Sequence, residues 1–141
     1  MQTRSIREIL TTRSLVAVPG NASLEVATEL MLLEGVTAVA VLEEGNLLGV
    51  VSERDVLRHV SQSGGLTTSS VLDVMMREVI CVETRDSIVA AYVRMMESGV
   101  RHLPVLDMAR KVVGMLSIDD IPLECREMAP SFSRWRNSAA A

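Results

Sequence analysis

Gly49-Val50-Val51-Ser52-Glu53-Arg54-Asp55 decides the fold, because it returns sixty-five positions later as Gly114-Met115-Leu116-Ser117-Ile118-Asp119-Asp120. Each copy runs from a glycine through two apolar residues to a serine, two variable positions and an aspartate. That order reads as a buried strand ending in the first turn of a helix. Around the first copy, Thr37–Leu42 and Leu47–Val51 are β-rich runs flanking Glu43-Glu44-Gly45-Asn46, which predicts a hairpin with a glycine-containing turn. Upstream, Ser23 precedes a helical pattern over 24–34, with Leu24, Ala27, Met31 and Leu32 on one apolar face and Gly35 as the stop. A strand over Leu15–Val18 ends at Pro19-Gly20-Asn21, and Ser5 caps a short turn over 6–10.

Every one of these elements recurs. Ser70–Met75 answers Ser5–Leu10, Val79–Val82 answers Leu15–Val18, and Ser87 answers Ser23; Ile88, Ala91, Met95 and Met96 answer the apolar face. Gly99 answers Gly35, and the second hairpin carries one extra residue within 107–111. The chain is therefore expected to be a mixed α/β (α+β) protein of tandem βαββα repeats. The first repeat is read at 1–62, a linker at 63–66, a second repeat at 67–124 and a C-terminal tail at 125–141. The stretch 61–65, Ser-Gln-Ser-Gly-Gly, is read as flexible. A single repeat is too small to be comfortably stable, so the two are expected to pack about a pseudo-two-fold and share a core. Clefts at their junction are the natural ligand sites.

Composition narrows the function. With 48% apolar content but one Phe, one Trp and one Tyr in 141 residues, base-stacking nucleic-acid readers are disfavoured. The net charge of -4 comes from interspersed charges rather than a basic stripe, so no nucleic-acid partner is expected. No apolar run is long enough to span a bilayer and no signal core opens the chain, which predicts a cytoplasmic protein without membrane contact. Cys81 and Cys125 match no CxxC or disulfide framework, and His59 and His102 have no ligand company, so no metal is expected. Neither a GxSxG, a Walker nor a GxGxxG pattern is present, which argues against catalysis.

The paired Gly-h-h-Ser-x-x-Asp motifs, the serine-capped helices ending at Gly35 and Gly99, and Gly99-Val100-Arg101-His102-Leu103-Pro104-Val105 together resemble the cystathionine-β-synthase (CBS) domain pair, or Bateman module, over residues 5–121. The resemblance implies a regulatory module that binds AMP, ADP or ATP, with NAD and S-adenosylmethionine as further possibilities, and signals to a partner protein. It also implies a helix-mediated homodimer, with no cofactor required. The alternative is a ligand-free structural or protein-interaction module that dimerises through its helices.

The candidate site residues each carry two readings. Ser52 with Asp55, and Ser117 with Asp120, satisfy a capping box; the resemblance implies that the same groups contact a ribose. Arg54 precedes Asp55 at a helix start, where a cation is slightly disfavoured, so a phosphate contact is the sharper reading. Asp119 stands in its place in the second copy, which makes the two clefts unequal in charge. Arg101 and His102 open a strand, and family members often reach nucleotide phosphates from that position. Pro104 lacks a backbone donor, which places its strand at an edge or bulge and frees backbone groups for an adenine edge. Thr37 is the first-copy counterpart of Arg101. Pro122 is expected either to shorten and kink the closing helix or to sit in the first turn of one capped by Asp120. A frayed terminus or a partner-binding segment accounts for Phe132 and Trp135.

Overall fold

The computed structural model describes residues 5–10, 14–65 and 69–128. The expected repeat is present twice. In the first, β1 (Ala17–Pro19), α1 (Leu24–Glu34), β2 (Ala38–Glu43), β3 (Asn46–Ser52) and α2 (Glu53–Ser63) follow in order. In the second, β4 (Val82–Glu83), α3 (Ile88–Ser98), β5 (His102–Leu106) and β6 (Val112–Ser117) end in a 3-10 turn over Ile118–Asp120. Short leading helices, αN1 (Ile6–Leu10) and αN2 (Val71–Val74), precede the two repeats. Both sheets have three strands with the middle strand paired parallel to the first and antiparallel to the third.

The local chemistry of α1 and α3 is the same. Ser23 and Ser87 accept hydrogen bonds from the Val26 and Ala90 amides at 3.1 Å, and Gly35 and Gly99 end the helices with φ of 67° and 69°. Such angles favour a residue without a Cβ. The first hairpin turns through Glu44 and Gly45, both with positive φ (51° and 81°), the two-residue turn whose twist matches the strands.

The packing differs from a single shared core. One apolar cluster joins Val18, Leu24, Ala27, Met31, Val39, Val41, Val51 and Val56 of the first repeat to Val71 and Met75. The other joins Val82, Ile88, Ala91, Met95, Leu103, Val105 and Leu116 of the second repeat to Ile6. Each repeat thus lends its leading helix to the other's core. Backbone bonds fix the exchange: Leu24 N–H donates to Ser69 O at 2.9 Å, Val71 N–H to Ala22 O at 3.1 Å, and Ile6 N–H to Asp86 O at 3.4 Å. Two cores interlocked by exchange resolve the small-domain problem without either repeat standing alone.

Several expectations need correction. Leu32 and Met96 are 80% and 55% exposed, because at the end of their helices they flank the buried stripe rather than continue it. α2 runs to Ser63 and stops at Gly64 in the left-handed region, so residues 61–63 are helical rather than flexible. β1 and β4 are shorter or shifted relative to Leu15–Val18 and Val79–Val82. Pro104 sits in a central strand, not at an edge. It is tolerated because Leu106 O accepts from Thr84 N–H, and by strand alternation Pro104 faces the same side, beyond the end of two-residue β4. A register shift follows at Val105/Leu106. The tail calls at Phe132 and Trp135 lie outside the described residues.

Candidate functional site

Two clefts of similar size, about 150 and 170 Å³, open at the junction of the repeats. Volume does not distinguish them; their chemistry does.

The floor of the first cleft is made by Val50 and Met76. Val50 N–H donates to Met76 O at 3.1 Å and Met76 N–H to Val50 O at 2.9 Å, so the segment after αN2 pairs with β3. Gly49 makes this possible, since a Cβ there would lie 2.5 Å from Met76 O and 2.8 Å from Met75 Sδ. Exposed Met76 and Ile80 supply an apolar wall. Opposite stands the N-terminal turn of α2. Ser52 Oγ accepts from the Asp55 amide at 3.3 Å, while Asp55 Oδ2 accepts from Ser52 N–H at 2.9 Å and from Ser52 Oγ–H at 2.8 Å. The capping box is therefore real, but it occupies one carboxylate oxygen. Oδ1 faces the Arg58 guanidinium at 3.7 Å and keeps acceptor capacity toward the cleft. Capping and ligand contact are compatible at Asp55.

Arg54, Arg58 and Arg101 all line this cleft, with Glu53, Asp55 and Asp119. Arg54 and Arg101 arrive from different repeats, as the sequence suggested. Arg58 was missed; it stands four residues after Arg54, a spacing that puts both on one helical face, and that signal was available. Met76 and Ile80 gave no such signal, because their place depends on the exchanged helix.

The second cleft is lined by Leu10, Val16, Val36, Thr37, Ala38, His102, Met115, Ser117, Asp119 and Asp120 among others. Asp120 Oδ2 accepts from Ser117 N–H at 2.7 Å, completing the second capping box. Here the turn is 3-10 and stops after three residues. Pro122 then opens a helix over 123–128, its carbonyl accepting from Arg126 N–H at 3.1 Å. Ser117, not Asp120, thus caps the turn. Arg126 bridges the break, donating through Nε to Ile121 O at 3.0 Å and through Nη2 to Ile118 O at 2.6 Å.

Thr37 and His102 separate the clefts and border both, joined by a 2.6 Å hydrogen bond between Thr37 Oγ1 and His102 Nε2. Burial holds the imidazole pKa below its usual 6.5; Arg101 acts in the same direction, and Glu53, Asp119 and Asp120 oppose it. Pro104 is buried in β5 and is not among the residues lining either cleft. The other eight candidates, Thr37, Ser52, Arg54, Asp55, Arg101, His102, Ser117 and Asp120, border one cleft or both.

Among the described residues, no cluster of three His, Cys, Asp or Glu side chains could hold a metal. No helix among them is long and apolar enough to cross a membrane. Cys125 is buried, and burial pushes the Cys81 thiol pKa up despite Arg110 and Arg94, the opposite of nucleophile activation.

The CBS-domain family model matches residues 6–62 and 71–122. No curated protein matches the chain. Among solved structures, a CBS-domain protein of Burkholderia ambifaria is similar, with 30% identity and a TM-score of 0.77 over 84% of this chain and 90% of that one. CBSX2, solved in complex with AMP, is 27% identical with a TM-score of 0.69, covering 83% of this chain and 92% of its own. A CBS-domain protein of Pyrobaculum aerophilum, also complexed with AMP, shares the fold: TM-score 0.80, 24% identity, 91% and 99% coverage.

Proposed function

Because this chain belongs to the CBS-domain family, we propose that it is a non-catalytic regulatory module that binds an adenine nucleotide in the first cleft and signals its occupancy to a protein partner. The observation that carries this reading is the convergence of Arg54, Arg58 and Arg101 with the Ser52–Asp55 turn around one cleft. Adenine packs against Met76 and Ile80, a ribose hydroxyl donates to Asp55 Oδ1, and the phosphate meets the arginines and the N-terminal turn of α2. That CBSX2 has been solved with AMP supports the ligand class. AMP, ADP and ATP fit this chemistry, and NAD is compatible with it. The ligand touches both repeats, so its unequal affinity for two arrangements of them is the means of signalling. The division into repeats at 1–62 and 67–124 with a linker at 63–66 remains part of the reading, with α2 carried through Ser63 and the leading helices exchanged across the boundary.

Calorimetric titration with AMP, ATP and NAD tests it. One equivalent per chain is expected, with binding lost in Asp55→Ala at a stability cost near ~1 kcal/mol, the worth of a cap. The absence of heat and of any thermal shift at millimolar ligand sinks the proposal.

A second reading concerns assembly. Val26, Leu32 and Leu33 on α1 and Met96 on α3 are 49%, 80%, 80% and 55% exposed, an apolar surface suited to a helix-mediated homodimer. Sedimentation of wild type against Leu33→Glu tests this: a monomeric wild type refutes it, and a dimer dissociated by the substitution supports it.

A further inference from the structure

The hydrogen bond between Thr37 and His102 is a strut between the repeats, set against the first cleft. Thr37 belongs to the first repeat, and its carbonyl accepts from Glu53 N–H at 2.9 Å, which ties it to the first turn of α2. His102 opens β5 of the second repeat, and the carbonyl of its neighbour Arg101 accepts from Ile118 N–H at 2.8 Å, the equivalent tie to the 3-10 turn. The strut thus joins the two strand-to-helix turns that border the cleft. Burial is the strongest influence on the imidazole and favours its neutral form. Glu53 on α2 comes next and favours the imidazolium; Arg101 opposes it, and Asp119 and Asp120 of the 3-10 turn favour it. Arg54, Asp55 and Arg58 of α2 line the same cleft, while β6, paired with His102 at Ser117, brings no titratable side chain. An anionic group at the first turn of α2 therefore already acts on His102, as Glu53 does. A phosphate held there carries a charge of about -2 and engages Arg101, the cation that opposes protonation. Both effects favour the imidazolium, whose ring nitrogens only donate, so that Thr37 Oγ1 becomes the acceptor of the strut.

We propose that nucleotide binding in the first cleft takes up a proton at His102, across the strut to Thr37, so that affinity for the nucleotide rises as the surroundings acidify. The proton comes from solvent and returns to it when the nucleotide leaves. This rests on the nucleotide reading of the first cleft and adds a second input to it: occupancy then reports nucleotide level weighted by pH.

The test is calorimetric titration of the full chain with AMP between pH 7.5 and 5, in buffers of low and high ionisation enthalpy, for wild type and His102→Gln. The AMP phosphate titrates in the same range but is common to both proteins and cancels in the difference. Relative to His102→Gln, wild type is expected to gain about tenfold in AMP affinity across that range, the effect of a one-unit rise in imidazole pKa on binding. The buffer dependence is expected to show up to about one proton taken up per AMP. Thr37→Val removes the acceptor and is expected to lower that uptake. A second measurement leaves His102 in place: the chain has two histidines, so His59→Gln assigns the remaining imidazole resonance. Its titration midpoint is expected below 6.5 without AMP and higher with AMP at saturation. AMP binding with the same pH profile in wild type and His102→Gln, or a midpoint that AMP leaves unmoved or lowers, overturns this proposal and leaves the nucleotide site standing. No AMP heat at any pH overturns both.

Discussion

The two repeats start from nearly the same sequence plan and end in different chemistry. Up to Ser52 and Ser117 their elements match in order and in hydrogen bonding, down to the bulge that follows Val41 in one and Val105 in the other. Past the serine they part. The first continues as the eleven-residue helix α2, whose exposed face carries Arg54 and Arg58; the second breaks after three residues at a 3-10 turn and restarts beyond Pro122. One proline and three replaced arginines thus separate a cleft lined by three arginines and three carboxylates from one whose described lining carries Asp119 and Asp120 without a lysine or arginine. Duplication preserved the scaffold, which packing constrains, and released the rims, which packing does not.

The largest expected effect compares the two motif glycines. An alanine Cβ at position 49 would meet the Met76 carbonyl at 2.5 Å, and that carbonyl is fixed by its bond to Val50. At position 114 the nearest atom is the tip of Leu10, at 2.8 Å, which can rotate away. Gly49→Ala is expected to cost about 2–3 kcal/mol in urea denaturation and Gly114→Ala under about 1 kcal/mol. Equal costs would mean that the exchanged segments pack with equal rigidity in both halves.

The break at Pro122 offers the next comparison. Arg126 has no counterpart in the first repeat because α2 leaves no broken turn to bridge. Arg126→Ala is expected to destabilise by about 1.5 kcal/mol, through loss of two charge-assisted hydrogen bonds to Ile118 and Ile121 carbonyls. Hydrogen exchange should localise the loss to residues 118–128. The capping serines come below that. Ser52→Ala is expected to cost about 1 kcal/mol because it caps a full helix, and Ser117→Ala less than half as much because only one turn depends on it. A Ser117→Ala cost as large as that of Ser52→Ala would show that the 3-10 turn is as cooperative as α2.

The repeat was legible because its punctuation is local. Ser23, Ser87, Gly35 and Gly99 act through their own neighbours, so cap and stop positions follow from sequence and hold in the structure. The exchange of leading helices was not legible, since Ile6 and Val71 present the same apolar turn to two equivalent partners and only chain geometry chooses between them. Leu32 and Met96 misled for a related reason: a helical stripe says which residues share a side, not how wide the partner covering it is. Pro104 was assigned to an edge or bulge by a rule about missing donors; its strand is central, with a register shift just beyond it at Val105/Leu106, and a strand can be central and still have a short neighbour. Of the candidate site, the charged residues with an internal counterpart were readable by comparing copies. Met76 and Ile80 were not, because a segment remote in sequence brings them to Val50.

The smallest effect tests the wall the two clefts share. His102 is held below its usual pKa of 6.5, chiefly by burial, so the folded chain binds fewer protons there than the unfolded chain. Stability from this group is present in full above about pH 6.5 and is lost as pH falls through the lower folded pKa. Wild type is therefore expected to lose stability below pH 6.5 faster than His102→Gln, which keeps a polar partner for Thr37 but cannot titrate. Carboxylates common to both proteins cancel in the difference, and denaturation curves between pH 7 and 5 measure it. A phosphate in the first cleft would stabilise the imidazolium and shrink that difference when AMP is bound.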